Sequence, residues 1–389
     1  MPLSADHTTA RLAEYQANPD TGPKLLFFSG GTALNGFSQI LKRYTHNSIH
    51  LVTPYDSGGS SAVLRNAFDM PAVGDLRSRM MALADASLAG HPEVIELFAY
   101  RLPTDESQLL LRARVEAMQQ RNDKRVQSIP EPVQSIICDF LNYFLESAPK
   151  DFDFRRASIG NLILAGGYLS HNRSLDPIAQ LFSRLVHVRG QVRTVTDECG
   201  ELKVTTESGR EIIGQHRMTG KESQPLNERI VSLDLHLPLG SESHLADQEG
   251  GWINSADLLV FPPGSFYSSV LANLLPKGVG KAIMDNPASK VYVPNLGNDP
   301  EQFGMTLQEQ IEQLERFVAR DAGGGFLGGE ERCIDILLTD STLLSGIDAE
   351  FLNWLDKRGI QLLDVDLANP ERTDRYDEIK LAEALLSLA

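Results

Sequence analysis

Short apolar runs alternate along the chain with segments whose apolar residues recur every three or four positions. The run KLLFFSGGT (24–32) ends at two glycines, and ALNGFSQILKRY directly after it has helical spacing. SIHLVTPYD (48–56) is a second apolar run. A strand, a glycine turn, a helix and a strand form the start of a βαβ unit, which predicts a parallel sheet. Four later runs are predicted to add strands to it: 256–265, 290–297, 333–341 and 360–367.

The rest of the chain divides into a helical part and a β-rich insertion. Residues 66–150 and 155–169 carry apolar residues at helical spacing and are predicted to be mainly helical. In residues 186–215, β-branched runs alternate with glycine and Asp-Glu turns, which predicts a small antiparallel meander. GGGFLGG (323–329) is predicted to be a mobile loop. The pattern therefore favours an α/β fold with a mainly parallel sheet and a small antiparallel insertion.

The length of the chain limits its domain organisation. With 389 residues, it exceeds the roughly 250–300 residues at which one core stops growing. One large α/β domain with a small appendage, or two domains, are therefore expected. We predict a polar N-terminal tail over 1–22 and one nucleotide-binding domain over 23–389, which contains the β insertion at about 186–215. The C-terminal part after about 320 matches no motif described below.

Charge and composition exclude some classes of partner. There are 52 acidic and 36 basic residues, and a net charge of -16 argues against sequence-independent binding to nucleic acid. The three cysteines, Cys138, Cys199 and Cys333, have neither metal-site nor disulfide spacing. The N-terminal stretch lacks the apolar core of a signal peptide, and no stretch approaches the ~20 apolar residues of a membrane span. We therefore predict a cytoplasmic protein without membrane association.

Small and polar residues follow several predicted strands. They are Ser29–Thr32, Asp56–Ser61, Gly264–Ser265 and Asn295. In an open parallel sheet, the carboxyl ends of the strands form the ligand crevice, and glycines there let backbone N–H groups approach a phosphate. The first loop, SGGTALNG, has the spacing of neither a dinucleotide fingerprint nor a Walker loop. The pattern indicates an anion site, and a tight turn without a ligand role is the alternative for the first loop.

Carboxylates and arginines lie close together after the second strand. Asp56 is followed nine residues later by Arg65, and Asp75 is followed by Arg77. Two strand-end carboxylates are suited to Mg²⁺, which binds one or two carboxylates together with substrate phosphates. Arginine offers a bidentate fork for phosphate. The alternative is structural: the two aspartates would cap helices and pair with the arginines.

A hydrolase is a further alternative. GGSSA (58–62) differs from the G-x-S-x-G nucleophile elbow only in its last residue, and Ser60 would be the nucleophile. A triad would also need an Asp or Glu and then a histidine later in the chain, for which His171, His187, His216, His236 and His244 are available.

Taken together, five short motifs resemble one family. In order they are GG-T, D-x-GGSS, P-x-x-GD-[IL]-R, GNL, and PGS-x-Y-x-S followed by NLL. Their order and intervals, over about Lys24 to Leu314, resemble the 2-phospho-L-lactate transferase family, which includes a bacterial branch of YvcK-like gluconeogenesis factors. The resemblance implies a Rossmann-like three-layer α/β/α sandwich. It further implies one of two activities. The first is magnesium-assisted transfer of a phospholactate-type group from a guanosine diphosphate adduct to a deazaflavin alcohol, with release of GMP. The second is regulation through binding of a nucleotide sugar.

The resemblance also assigns residues to the site. We interpret Asp56, Asp75 and Arg77 as catalytic, with Asp56 and Asp75 as ligands of a Mg²⁺ cofactor. The predicted nucleotide- and phosphate-binding residues are Gly30, Gly31, Thr32, Gly58, Gly59, Ser60, Ser61, Asn161, Gly264, Ser265, Tyr267 and Asn295. The motifs Gly160-Asn161-Leu162 and Gly264-Ser265-x-Tyr267 supply the later members of this set.

The chain departs from the family pattern at five positions: Ser29, Ala33, Ser57, Ser78 and Pro262. Ser57 replaces the second acid of the usual Asp-Asp-Gly-Gly-Ser-Ser. The first interpretation is a transferase-like enzyme that acts on a nucleotide-diphosphate-linked substrate. The alternative is a non-catalytic nucleotide-sugar-binding regulator of carbon or cell-wall metabolism, which the loss of that acid favours. A scaffold with a vestigial site is a third interpretation. The resemblance also suggests a homodimer.

Overall fold

A computed structural model describes residues 5–85, 87, 91–218, 226–322, 333–344 and 347–389. The loop predicted at GGGFLGG (323–329) lies outside the described residues. No described helix is long and apolar enough to cross a membrane.

The centre of the molecule is a parallel sheet of seven strands. The strands are β1 Leu25–Ser29, β2 Ile49–Val52, β3 Gln191–Thr194, β7 Leu258–Phe261, β8 Ser289–Tyr292, β9 Ile336–Thr339 and β10 Gln361–Asp364. In spatial order they are β10, β9, β8, β7, β1, β2 and β3, and every neighbouring pair is parallel. The order reverses between β1 and β7, and this topological switch point is where open α/β sheets form a ligand crevice.

All six runs that predicted parallel strands form strands of this sheet. The predicted β insertion is only partly correct, because Gln191–Thr194 pairs in parallel with β2 instead of joining a meander. The antiparallel sheet consists of β4 Glu201–Thr206, β5 Glu211–Ile213 and β6 Ile230–His236, in the order β5-β4-β6. Val192, Arg193 and Thr194 in β3 are all buried, whereas burial alternates along β4, as expected of a sheet covered on one face.

Helices cover both faces of the parallel sheet. They are α1 Ala5–Ala17, α2 Asn35–Leu41, α3 Gly59–Phe68, α4 Gly74–Leu83, α5 Pro92–Ala99, α6 Gln108–Gln119, α7 Lys124–Gln127, α8 Val133–Ser147, α9 Ile159–Ser170, α10 Asp176–Leu185, α11 Gln215–Met218, α12 Asp247–Ser255, α13 Val279–Asp285, α14 Leu307–Ala319, α15 Ser341–Leu344, α16 Ala349–Arg358 and α17 Glu378–Leu388. The segment predicted as a polar tail therefore contains α1, and Arg11 in it donates to the carbonyl oxygen of Ala389 at 2.8 Å.

The core follows from the alternation of side chains along the buried strands. In β1, Leu26 and Phe28 belong to the apolar cluster on one face of the sheet, and Leu25 and Phe27 belong to the cluster on the other. Phe28 stacks on Phe261 of β7 with 5.2 Å between ring centroids. Because both faces of the sheet are buried, the polar loops lie at the carboxyl ends of β1, β2 and β7.

Candidate functional site

The loop after β1 contains two glycines with different constraints. Gly31 has a φ of +43°, a conformation that favours glycine, and the position of a Cβ there has no neighbouring atom within 4 Å. At Gly30, a Cβ would lie 2.8 Å from Oγ of Ser269, which belongs to the π-helical turn Phe266–Val270 after β7. The loop after β1 is therefore packed against the loop after β7, and its exposed side is backbone.

The loop after β2 turns sharply into α3. Oδ1 of Asp56 accepts the backbone N–H of Gly58 at 3.0 Å, and Oδ2 lies 3.3 Å from the position of a Cβ at Gly74. Gly59 has a φ of +48° and open space around its Cβ position. The N-cap residue of α3, Gly58, has no side chain with which to cap the helix, and the first turn contains no acidic residue. Its N–H groups therefore face the crevice with the positive end of the helix dipole.

Three helix N-termini meet at this loop. Oγ of Ser60 accepts from the backbone N–H of Ser158, the residue before α9, and from Nδ2 of Asn161, each at 3.4 Å. Oγ of Ser61 lies 2.6 Å from the Cβ position of Gly74, the first residue of α4. The N-termini of α3, α4 and α9 thus converge on Gly58–Ser61, and their partial positive charges add in one place.

The predicted arginine–carboxylate pairs do not form in the described part of the chain. Arg77 donates to Oδ1 of Asn161 at 2.7 Å and to the carbonyl oxygen of Phe98 at 3.1 Å. Arg65 donates to the carbonyl oxygens of Tyr55 and Asp56. Burial and the nearby Arg101 lower the pKa of Arg77 to about 10, so it stays charged at neutral pH. Both arginines hold backbone or amide groups in place and bring positive charge to the site.

Asp75 is engaged with the first loop. It lies in the first turn of α4, is buried, and Oδ2 accepts the backbone N–H of Gly31 at 2.6 Å. The interpretation of Asp75 as a metal ligand is therefore constrained, because one carboxylate oxygen already orders the loop after β1. Asp56 offers the more open carboxylate of the two.

Ser57, which replaces an acid of the family motif, forms a pair with a histidine that sequence reasoning did not assign to it. Oγ of Ser57 lies 2.8 Å from Nδ1 of His216 and accepts the backbone N–H of His216 at 3.2 Å. The hydrolase alternative needed a histidine at Ser60, but His216 binds Ser57. No sequence signal joins residues 159 positions apart. The pair borders a cavity of about 670 Å³ between α3 and the antiparallel sheet, which Arg65 and His236 also line.

The backbone donors of the loop after β7 are bound by two acids from the segment after β8. Phe266 N–H donates to Oδ2 of Asp299, and the N–H groups of Tyr267 and Ser268 donate to Oε2 of Glu301, each at 2.8 Å. Burial and the charge of Asp299 raise the pKa of Glu301 to about 7. Sequence reasoning missed both acids, although Asp299 before Pro300 is a recognisable cap signal.

The remaining predicted residues of this loop have structural contacts. The backbone N–H of Gly264 donates to Oδ1 of Asn295 at 2.9 Å, and Nδ2 of Asn295 donates to the carbonyl oxygen of Gly264 at 2.7 Å. Tyr267 is buried, and its hydroxyl donates to the carbonyl oxygen of Ile230. Asn295 therefore fixes the loop, Ser265 stays part-exposed at its edge, and the Tyr267 side chain points into the core.

The structure thus brings most of the predicted residues together. One group surrounds the loop after β2: Gly30, Gly31, Asp56, Gly58, Gly59, Ser60, Ser61, Asp75, Arg77 and Asn161. Thr32 follows Gly31 in the loop after β1 and is exposed. Gly264, Ser265 and Asn295 lie next to it along the same edge of the sheet, because β7 neighbours β1. This edge can bind an anion through N–H groups and two arginines at the β2 end.

Comparisons with known proteins agree with this architecture. A sequence profile of the 2-phospho-L-lactate transferase CofD family matches residues 25–377. The gluconeogenesis factor of Bacillus subtilis is 26% identical over 94% of this chain and 98% of its own length. That of Listeria innocua is 27% identical over 95% of this chain and 96% of its own. A crystal structure of a UPF0052 family member from Bacillus halodurans has a TM-score of 0.67 at 22% identity, covering 94% of this chain and 99% of that one, and the likeness concerns the fold.

Proposed function

The chain belongs to the 2-phospho-L-lactate transferase CofD family, and from this we propose that its crevice binds a nucleotide-diphosphate-linked substrate and transfers a phospho-acyl-type group. The observation that carries the proposal is the convergence of three helix N-termini at Gly58–Ser61. Such an arrangement binds phosphate through N–H groups even in a protein whose net charge is -16.

The residues present suit a reaction that depends on positioning and charge stabilisation. Transfer of phosphorus-containing groups relies mainly on these two effects. Arg77 would neutralise phosphate charge, and the hydroxyls of Ser60 and Ser61 would orient the ligand. Asp75 would order the first glycine loop through the N–H of Gly31.

Magnesium fits one of the two predicted carboxylates better than the other. Among the described residues, no three His, Cys, Asp or Glu side chains are grouped to hold a metal ion. We assign Mg²⁺ to Asp56, with ligand phosphates supplying further oxygens, as is usual for this ion. Bound there, the ion would neutralise charge on the phosphates.

A second candidate function is a non-catalytic regulator that binds a nucleotide sugar. One observation favours it: the second acid of the family motif is Ser57, and its hydroxyl is hydrogen-bonded to His216. The relatives named gluconeogenesis factors span almost the whole chain at 26% and 27% identity, which fits a regulator of carbon metabolism.

Calorimetric titration separates the two candidates. The ligands are GDP, GMP, UDP-glucose and UDP-N-acetylglucosamine, each with and without Mg²⁺. A magnesium-dependent preference for guanine nucleotides supports the transferase, and a preference for uridine sugars without turnover supports the regulator. If none of the four binds, both proposals are wrong.

Substitutions in the loop after β2 test the location of the site. Asp56→Ala and Ser60→Ala are expected to weaken binding of the preferred nucleotide about tenfold or more, since each removes a group at the converging helix ends. Asp139→Ala, at an exposed position of α8, is the control and should leave affinity unchanged. If both loop variants fold and bind like the wild type, the site lies elsewhere.

A further inference from the structure

Arg79 is a buried cation directly behind the first glycine loop. It lies in α4, is fully inaccessible to solvent and is the largest of the fully buried side chains. It forms no ion pair in the part of the chain that the structure describes, and Nε has no hydrogen-bond partner there. Burying a charge is costly unless hydrogen bonds and a charge of opposite sign compensate for it. The partners of Arg79 therefore decide what an arginine contributes at this position.

The four hydrogen bonds that Arg79 donates go to the segment after β1 and to the helix that follows it. Nη2 donates to the carbonyl oxygens of Gly30 and Gly31, each at 3.4 Å. Nη1 donates to Oγ of Ser38 at 2.8 Å and to the carbonyl oxygen of Leu34 at 3.3 Å. The guanidinium group thus binds three carbonyl oxygens of this segment on the side that faces the buried Arg79.

A second side chain of α4 also binds the loop after β1. Asp75, one turn before Arg79, accepts the N–H of Gly31 at 2.6 Å. Two side chains of opposite charge, four residues apart on α4, therefore bind the N–H and the carbonyl groups of one glycine pair. Burial lowers the pKa of Arg79 to about 10, which still leaves it protonated at neutral pH.

Among the residues that the structure describes, Asp75 supplies the opposite charge that acts on Arg79. His50 on β2 is fully buried, and burial together with the charge of Arg79 lowers its pKa well below the usual value. His50 is therefore neutral near pH 7. The positive charge of Arg79 lies behind a loop whose outer side faces open space at Gly31.

We propose that Arg79 is a positioning residue of the ligand site, which keeps the carbonyl oxygens of the first glycine loop turned away from the crevice. Two adjacent glycines restrict the backbone little, so without Arg79 these peptide groups can rotate. A carbonyl oxygen that faces the crevice repels a phosphate, whereas a loop held in the observed conformation does not. The inference rests on the proposed function in one respect: the crevice binds a phosphate-containing ligand.

The test compares two substitutions of Arg79 with one of another buried arginine. Arg79→Met keeps the volume and removes the charge, whereas Arg79→Lys keeps the charge without the forked donors. Arg193→Met is the matched control, because Arg193 is also buried but is ion-paired with Asp176 at 2.6 Å. The melting temperature is measured without ligand, and the affinity is measured by calorimetry with GDP and with inorganic pyrophosphate.

A positioning role is distinguished from a structural role by affinity, because stability falls in both cases. Arg79→Met is expected to lower the melting temperature, since it removes the donor to three carbonyl oxygens and a charge opposite to Asp75. It is also expected to weaken pyrophosphate and GDP binding at least tenfold, with partial recovery in Arg79→Lys. The control is expected to lose stability and keep its affinity. A lower melting temperature with unchanged affinity in Arg79→Met means a purely structural role and overturns the inference.

Two further outcomes complete the test. If Arg79→Met does not fold, the ligand affinity of Arg79→Lys is the test. An affinity equal to that of the wild type then overturns the inference. If the wild type itself binds none of the nucleotides and no pyrophosphate, the proposed function fails and the inference fails with it. If the wild type and Arg79→Met bind with equal affinity, the inference about Arg79 fails and the proposed function stands.

Discussion

Glu301 illustrates how a single buried residue sets properties of the candidate site. It is 2% exposed and accepts from the N–H groups of Tyr267 and Ser268 and from the Ser268 hydroxyl. Its pKa is raised to about 7, first by burial and then by the charge of Asp299. A raised carboxyl pKa means that the folded protein retains a proton which the unfolded chain loses at lower pH.

The pH dependence of stability tests this residue. Because the folded pKa is raised, the stabilising contribution is fully present below about pH 4.5, the ordinary value, and is lost as the pH rises through about 7. Relative to wild type, Glu301→Gln is expected to gain stability between pH 5 and pH 8, on the order of 3 kcal/mol for a shift of this size. Urea unfolding of both proteins over this range measures the difference. If the difference in the free energy of unfolding between the two proteins is the same at every pH, the raised pKa of Glu301 is contradicted.

At the residue scale, the sequence predicted most of the residues that lie together at this edge of the sheet but not their partners, and Tyr267 points into the core instead. Strand-end glycines and acids were recognisable because parallel strands end at one edge of the sheet. The partners of Ser57 and of the loop after β7 come from distant parts of the chain and could not be read. Arg79 did leave a signal, since it lies three residues after Leu76 and four before Leu83, on the apolar stripe of α4.

At the scale of elements, close packing of α8 against α9 depends on glycine. A Cβ at Gly166 of α9 would overlap the backbone carbonyl of Phe140 in α8, which cannot move independently of its helix. The two helices belong to the apolar cluster that also contains Leu76 of α4 and Val52 at the end of β2. Their spacing therefore affects the positions of the helix N-termini at the crevice.

Two glycine-to-alanine substitutions separate packing from helix propensity. Gly166→Ala is expected to lower the free energy of unfolding by about 2–3 kcal/mol, because it forces the helices apart. Gly251→Ala lies inside α12 with nothing within 4 Å of the Cβ position. It is expected to raise the free energy by up to about 1 kcal/mol, because alanine favours the helix. Denaturant titrations measure both, and equal effects would show that the contact with Phe140 is unimportant.

The burial of strands on both faces explains both the correct and the incorrect strand predictions. Continuous apolar runs such as 258–261 are typical of strands buried on both faces, and these were identified correctly. Gln191–Thr194 contains a polar glutamine and a buried arginine, so it resembled an exposed meander strand. Arg193 is tolerated there because Asp176 pairs with it.

At the scale of the whole molecule, the two sheets differ in their environment. β1, β2 and β7 are buried throughout, whereas β5, at one edge of the antiparallel sheet, contains the exposed Glu211. Strand amides in the interior of a domain exchange their hydrogens only when the domain unfolds, and edge amides exchange through local opening.

Hydrogen exchange monitored by mass spectrometry tests this difference. Peptides that contain Leu25–Ser29 and Leu258–Phe261 are expected to exchange at least a hundredfold more slowly than the peptide that contains Glu211–Ile213, since only the latter opens locally. The peptide over Ile49–Val52 serves as an internal control for the central sheet. Equal protection of both sheets would mean that they unfold as one unit.

The acids that bind the loop after β7 have a consequence for the choice of ligand. Asp299 and Glu301 already accept from the N–H groups of 266–268, so these donors are not available to a phosphate. A nucleoside triphosphate whose additional phosphate reached this loop would gain no donors from it. If the crevice binds a nucleotide as proposed, we expect it to favour the diphosphate over the triphosphate of the same nucleoside.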